Sequence, residues 1–505
     1  MTITTPGVSN YQICVRCVMD TSDTHIRFDS AGVCSYCHGF DRAVVHEGRL
    51  GEDPHGILPR KIAEIRAAGA GQDYDCIVGL SGGVDSTYLL HWVVTQGLRP
   101  LAVHVDTGWN TDLAQRNIEM VLRKLDLDLH TEVIDWQEMR SLQLAFLRSG
   151  VANQDVPQDH AIFASLFRVA QAHGIRYLIN GFNRATESVL PRVWGYDNLD
   201  AVQIQAINRL FGDRPLRTYP LLSFMEATAI TWGYPADLRL ETLSPLNFIP
   251  YVKEEATAFL EREYAFRRYE GKHGESRFTV FFQNALLPRR HGYDKRRAHL
   301  ASLVLSGQMA RSEALRRLEL PPAPDSEIHR QTQYVLKKLG LSEAEFQEIM
   351  ARPARAFMDY PSAYDAKVVI GWLLWHSDMP CGAIDEEILK VDSALLGIED
   401  EAALRATLRK DAPIHIYGAG VHGRTLLEML RASGYDNVVG FLETERSGEE
   451  AGLPVQSLRQ YVPLHRATHQ ILIASVGSRF AIARTLARAG ISNFRYCHRL
   501  FVAEG

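Results

Sequence analysis

No run in the 505-residue sequence reaches the roughly 18 to 20 apolar residues a helix needs to cross a bilayer, and Met1 to Tyr11 is polar, without an apolar signal core. These absences predict a cytoplasmic protein with no membrane span. Neither sign of charge is in excess. Lys and Arg number 55 against 60 Asp and Glu, a net of −5, so binding of nucleic acid or of an anionic membrane cannot rest on overall charge, and nucleic acid is not the expected partner. No internal repeat or low-complexity tract is present, and 46% hydrophobic with 23% charged residues excludes a disordered chain or a coiled coil. Seven cysteines are too few to scaffold a chain of this length with disulfides.

At roughly 150 residues per domain, the length predicts about three domains. Gly48, Gly51, Pro54, Gly56 and Pro59 mark a linker, and an amphipathic segment runs from Lys61 to Ala68. Apolar and helical runs then alternate: Cys76–Leu80, Ser86–Thr95, Leu101–Val105, Leu113–Leu125 and a further strand at Ile175–Ile179. Repeated strand–helix units imply a mostly parallel sheet covered on both faces. From about Pro250 to Ile398 helical periodicity dominates, as in Glu254–Glu263, Lys295–Ser306 and Ser342–Met350. Within it, Arg262–Arg297 carries ten basic against four acidic residues, a local +6 that leaves −11 for the remainder. Strands at Ile414–Tyr417 and Gln470–Ala474 open a last α/β region. The expected division is 1–58, 59–250, 251–405 and 406–505.

Four of the cysteines cluster. Cys14-x2-Cys17 and Cys34-x2-Cys37 have the spacing of two knuckles of a four-thiolate zinc ribbon, in which four protein ligands leave no open position and the Zn2+ is structural. An iron–sulfur cluster is the alternative.

Leu80 to Thr87 places Gly82 and Gly83 between a buried strand and a helix start. Small residues let successive N–H groups line a concavity, and the N-terminal end of the helix favours an anion such as pyrophosphate. Ser81, Ser86 and Thr87 supply hydroxyl donors, and Asp85 either contacts an attendant Mg2+ or orients the loop. The segment has no Gly-Lys-Ser/Thr ending, so it is not a Walker A loop. The alternative is a glycine-rich turn that merely ends a strand.

Ser81-Gly82-Gly83-Val84-Asp85-Ser86 resembles the SGGxDS loop of the PP-loop ATP pyrophosphatases, which cleave ATP between the α and β phosphates and adenylate an oxygen of their substrate. The resemblance implies a PP-loop parallel sheet of the adenine nucleotide alpha hydrolase kind, so that the expected fold class is α/β, this sheet joined to the N-terminal zinc ribbon, the helical region and a small C-terminal Rossmann-like domain read from the residues. It also implies adenine contacts from the next strand, Val103 to Asp106 with His104, and a place for Gly181 in the nucleotide site.

Longer stretches are similar to a narrower group: Arg16-Cys17-Val18-Met19-Asp20-Thr21-Ser22-Asp23, Val105-Asp106-Thr107-Gly108-Trp109-Asn110, Asn153-Gln154-Asp155-Val156-Pro157-Gln158-Asp159-His160, Glu275-Ser276-Arg277-Phe278 and Gly292-Tyr293-Asp294-Lys295-Arg296. They resemble the bacterial N-acetyl sugar amidotransferases of surface-polysaccharide and flagellin-glycan pathways, over roughly residues 12 to 360. That family is understood to turn the acetamido group of a nucleotide-activated sugar into an acetamidino group with ATP and ammonia. Lys272 and Arg277 are then candidates to neutralise phosphate charge. His160, Glu187 and His273 are candidates for the proton acceptor, His160 foremost, with Asp159 holding His160 or a metal. Against these stand plainer readings: a satisfied structural histidine, Glu275 as a salt-bridge partner of Lys272 or Arg277, and the basic segment as a solvated helix face.

The tail carries Gly418-Ala419-Gly420-Val421-His422-Gly423 after a strand, with Glu443 about twenty residues on, in the pattern of a dinucleotide fingerprint. Residues 411–505 resemble the small nucleotide-sugar-binding domain at the front of some sugar acyltransferases; a packing turn in an accessory domain is the alternative. No cysteine stands in a glutaminase context, since Cys76, Cys381 and Cys497 are isolated. Ammonia is therefore expected from a separate glutaminase with a cyclase-like companion subunit, as the family resemblance implies. Two other functions remain open at this stage, a PP-loop tRNA thiolase and a nucleotide-binding adaptor without turnover.

Overall fold

The computed structural model describes residues 11–47, 50–191, 194, 197–232, 238–269, 274–363, 407–444, 446–466 and 468–474, together with 482, 486, 491 and 494–497. The chain divides into two compact units, Met1–Ser362 and Ala363–Gly505. The expected 405/406 boundary lies outside the described residues.

The first unit is built on five parallel strands: β1 (Cys76–Gly79), β2 (Pro100–Asp106), β3 (Leu129–Val133), β4 (Tyr177–Ile179) and β5 (Glu241–Leu243), in the order β3-β2-β1-β4-β5. Cys76 to Val78 and Pro100 to Val105 are buried throughout, as strands covered on both faces must be. Ile77, Leu101, Val103 and Val105 pack on the helices Trp136–Ser149 and Val156–Ala172 on one side, and Cys76, Val78 and Ala102 on Val84–Thr95 and Asp112–Leu125 on the other. Helix starts are local and legible: the side chains of Thr111, Asp135, Asn183, Asp200, Ser276 and Asp294 each accept a backbone N–H of the first turn. The buried Glu138 carboxylate accepts the N–H groups of Arg217, Thr218 and Tyr219 and so fixes the connection that follows the helix Ala201–Phe211.

The expected segments 1–58 and 59–250, and the part of 251–405 up to Ser362, fall in this one unit. The Arg311 guanidinium donates to the carbonyls of Cys14 and Cys17, and Arg297 donates to Val18 and pairs with buried Asp20 at 3.1 Å, so the cysteine segment is docked on the helices Lys295–Leu305 and Arg311–Glu319. Residues Phe282–His291 form a π-helix containing Pro288, whose missing N–H fits a widened turn.

The second unit carries β6 (Ile414–Tyr417), β7 (Val438–Glu443), β8 (Gly448–Glu450), β9 (Leu453–Ser457), β10 (Gln470–Ile473) and β11 (Phe494–Tyr496), in the order β11-β10-β6-β7-β9-β8, with only the β8/β9 pair antiparallel. On its central strand His415 is 6% exposed, and its ring lies 4.6 Å from that of Tyr461, whose hydroxyl meets His465 and His469. Burial, then His469 and His465, hold His415 down at about 4. A depressed histidine stabilises the fold above its unfolded value of 6.5 and loses that contribution as pH falls through the folded one. The shift corresponds to about 3 kcal/mol. Melting of the unit is therefore expected to become easier between pH 6.5 and 4, and this pH dependence to shrink in a His415→Phe variant followed by circular dichroism.

Candidate functional site

The strand order reverses direction between β1 and β4, and a doubly wound sheet opens its ligand crevice at such a switch point, outside the carboxyl ends of the strands. Here lies a cleft of about 1500 Å³ whose walls include Gly79, Leu80 and Ser81 after β1, Val103 to Val105 of β2, and Asn180 and Gly181 after β4. The glycine-rich turn at its edge is tied to itself. Ser81 Oγ accepts the Gly83 N–H and lies 3.1 Å from Ser86 Oγ, which accepts the Ser81 N–H. Gly83 is the residue before the helix Val84–Thr95, whose first N–H groups have no intrahelical partner. Gly82 has φ +83, and a Cβ there would stand 2.6 Å from the Ala114 carbonyl oxygen, so only glycine fits.

Asp85, in the first turn of that helix, does not line the cleft. It accepts the Tyr251 hydroxyl, and its other oxygen pairs with Lys253 Nζ at 2.7 Å. Burial works against the Lys253 charge, but the nearby Asp85 outweighs it and the pKa is raised. Sequence reasoning missed Tyr251 and Lys253, which lie some 170 positions from their partner. Thr87 does not supply the expected hydroxyl at the turn: it is fully buried and its Oγ1 has no partner among the described residues, because position 87 falls on the core face of the helix. His104 lines the cleft, with Nδ1 2.8 Å from the Leu80 carbonyl and Nε2 3.0 Å from the Asn110 amide, while Asp106 Oδ1 accepts from Gly108 N–H and Asn110.

The opposite wall comes from the helical part of the unit. Asn110 and Ser276 form an antiparallel bridge, Thr111 N–H donates to the Glu275 carbonyl, and Arg277 N–H donates to that of Trp109. This pairing brings Glu275 to the glycine-rich turn, where Oε1 would lie 3.5 Å from a Cβ on Gly83. Arg277 and Glu187 both line the cleft. The Arg277 guanidinium stacks 4.7 Å over the Tyr334 ring and has no carboxylate partner among the described residues. Lys272 and His273 lie outside the described residues.

His160 is fully buried and is not part of the cleft wall. Its Nε2 accepts the Leu222 N–H at 3.0 Å, which leaves Nδ1 to donate to the Asn198 carbonyl at 2.8 Å. A ring so engaged cannot take a proton from a reacting group, and the expectation that His160 leads the acid–base chemistry is corrected on that ground. Asp159 does line the cleft, one helical turn from Asp155. Asp155 was not singled out as a reacting group by the sequence. Its Oδ1 accepts from Gln158 Nε2 and from Thr279 Oγ1, both at 2.9 Å, and burial followed by the neighbouring Asp159 pushes its pKa well above the usual carboxylate range.

The four cysteines meet. Their ligand atoms lie within 4.8 Å of one another, all buried, with Sγ–Sγ separations of 3.5 to 3.6 Å for the closest pairs. A tetrahedral ion with bonds of about 2.3 Å to sulfur has edges of about 3.8 Å, which fits this set, whereas a cluster of iron and sulfide would hold the thiolates farther apart. Backbone N–H groups of Arg16, Cys17 and Cys34 point at Cys14 Sγ, a pattern that favours thiolate.

In the second unit the loop after β6 leads into the helix Val421–Ala432. Gly423 abuts the Gly418 carbonyl so closely that no Cβ fits, and Glu443 Oε1, at the end of β7, accepts the Ala419 N–H at 2.7 Å. Gly418 and Gly420 thus lie in a strand–turn–helix, and the Glu443 side chain at the end of β7 closes on the turn.

Fold and loop together define a doubly wound α/β unit whose glycine-rich turn opens on the switch point of its sheet. Residues 275–372, about a fifth of the chain, match the family model described as "LPS biosynthesis protein WbpG-like, C-terminal domain". No match was found among curated proteins. Similar solved structures include an NH3-dependent NAD synthetase from Campylobacter jejuni subsp. jejuni (15% identity, 31% of this chain and 73% of that one, TM-score 0.22) and an NMN synthetase from Francisella tularensis (16%, 43% and 89%, 0.20). A third is the U34-tRNA thiolase NcsA from Methanococcus maripaludis with its [4Fe-4S] cluster (14%, 59% and 89%, 0.24). Among the described residues no helix is long and apolar enough to cross a membrane.

Proposed function

We propose that the protein is an ATP-dependent, AMP-forming amidotransferase that converts an acetamido group of a nucleotide-activated N-acetyl sugar into an acetamidino group. The observation that carries this reading is the Ser81–Ser86 turn at the sheet's switch point, walled on its far side by the first residues of the stretch that matches a lipopolysaccharide-biosynthesis family. An amide carbon is a poor electrophile. Attack of its oxygen on the α-phosphorus of ATP expels pyrophosphate and leaves a carbon from which AMP departs when ammonia adds.

Backbone amides of the turn and the helix end hold the pyrophosphate, and Ser81 and Ser86 contribute hydroxyls. Asp85 has a positioning role, clamped by Lys253 and Tyr251. Mg2+, when bound with ATP, neutralises phosphate charge, and the carboxylates of Glu187 and Glu275 on the cleft wall are the groups that would hold it. Arg277, with no acid partner among the described residues, is available to an anionic group of the sugar substrate. The four thiolates hold a structural Zn2+. Ammonia is supplied by a separate glutaminase and its cyclase-like companion, and the glycine turn after β6 takes a nucleotide.

Incubation with ATP, Mg2+, ammonium and a panel of nucleotide-linked diacetamido sugars tests the reading by mass spectrometry. The expected products are an amidine carrying NH in place of one acetamido oxygen, AMP and pyrophosphate. Formation of ADP, or of AMP with every sugar unchanged, would overturn it.

A further inference from the structure

We infer that Asp155, flanked by Asp159 on the same wall of the cleft, is the group that takes the proton from the attacking ammonia. This rests on the amidotransferase reading. A chain of contacts runs from the phosphate turn to this carboxyl. Glu275 lies against Gly83, and the next residue, Ser276, donates its hydroxyl to Gln158 Oε1 at 3.2 Å. Thr107 donates to the same oxygen, and Gln158 Nε2 donates to Asp155. The glutamine is 5% exposed and anchored from two sides, so the Asp155 carboxyl is held in one orientation at the wall of the cleft that the turn also borders.

The proton balance requires such a group. Ammonia adds its lone pair to the carbon of the O-adenylated amide, forming a C–N bond and an ammonium centre. One N–H proton passes to the Asp155 carboxylate, the freed nitrogen pair expels AMP with cleavage of the C–O bond, and the product leaves as an amidinium cation. An ordinary carboxylate is too weak a base for this near neutral pH. Asp155 is not ordinary: burial and the Asp159 charge raise its pKa, with Glu275 acting the same way, while Thr279 and Lys295 pull against them. His160, the sequence's first candidate, has both ring nitrogens committed to backbone groups.

The test compares wild type, Asp155→Asn and Asp159→Asn over a range of pH, with sugar-dependent pyrophosphate release in a single turnover and amidine formation measured in parallel. Asp155→Asn is expected to lower amidine formation by about a hundredfold or more, with sugar-dependent ATP cleavage falling by a much smaller factor. Hydroxylamine, a weaker base whose adduct nitrogen gives up its proton to water more readily than that of ammonia, should restore part of the loss. Asp159→Asn should move the acidic limb of the ammonia-dependent rate to lower pH, because the like charge that raises Asp155 is gone. Equal amidine yield from wild type and Asp155→Asn, or an equal loss of both steps, would overturn the assignment alone. Absence of amidine from the wild type would instead remove the amidotransferase reading, and this assignment with it.

Discussion

Alanine at Gly82 is expected to abolish ATP cleavage, lowering turnover by about a hundredfold or more, the scale of losing a preorganised donor to developing charge. The reason is steric. The residue holds φ +83, and the added Cβ would press to 2.6 Å on the Ala114 carbonyl and 3.0 Å on its Cα, both backbone atoms that cannot swing aside. The turn must open or the helix Asp112–Leu125 must shift, and either displaces the N–H groups that face the phosphates. Left-handed strain alone costs roughly 1 to 3 kcal/mol. Gly174 provides the control, since it has φ +65 with nothing within 4 Å of its Cβ position and lies outside the cleft wall. Gly174→Ala should lose stability by about 1 kcal/mol and keep its activity. Matched losses of turnover in the two variants would argue that global stability, not the turn, controls the reaction.

The second large effect concerns the thiolates. Cys17→Ser, or exhaustive chelation, should melt the segment from Tyr11 to Tyr36, because without a metal four buried thiol groups are left among Val18, Met19, Ala298 and Leu300 with no ion to bind them together. Structural zinc contributes about 10 to 16 kcal/mol to the folding of small zinc-finger peptides, so several kcal/mol are at stake even in this larger unit. The loss should spread to the cleft although no cysteine lines it. The helix Lys295–Leu305 shows Lys295 and His299 to the cleft, while Arg297 of the same helix grips the Val18 carbonyl and Asp20. Metal analysis of the purified chain should give one zinc per molecule without sulfide; iron with acid-labile sulfide would contradict the tetrahedral single-ion site.

Much of this was legible from periodicity and spacing. The cysteine knuckles, the glycine-rich turn between strand and helix and strands β1, β2, β4, β6 and β10 announce themselves as short buried runs or paired motifs, and the helices Lys253–Tyr264, Lys295–Leu305 and Glu343–Ala351 fall within a residue or two of their apolar patterns. Strand β3 was missed because Leu-His-Thr-Glu-Val is half-buried at a sheet edge, and β5 because three residues carry no period. What periodicity cannot carry is contact between distant segments. The ribbon's docking through Arg297 and Arg311, the clamp of Asp85 by Tyr251 and Lys253, and the pairing of Trp109–Thr111 with Glu275–Arg277 join stretches more than 160 residues apart. Asp155 and Asp159 carried a readable hint, two acids spaced i and i+4 at a helix start. Nothing local says that this face of the helix borders the cleft while His160, one residue on, turns to the core.

The central claim is that AMP is placed on the acetamido oxygen before ammonia displaces it. A nucleotide-linked acetamido sugar labelled with 18O in that oxygen tests this directly. Turnover with ATP, Mg2+ and ammonium should deliver the label into the phosphate of AMP, one atom per amidine formed. Label appearing in water or in inorganic phosphate, with AMP unlabelled, would contradict it.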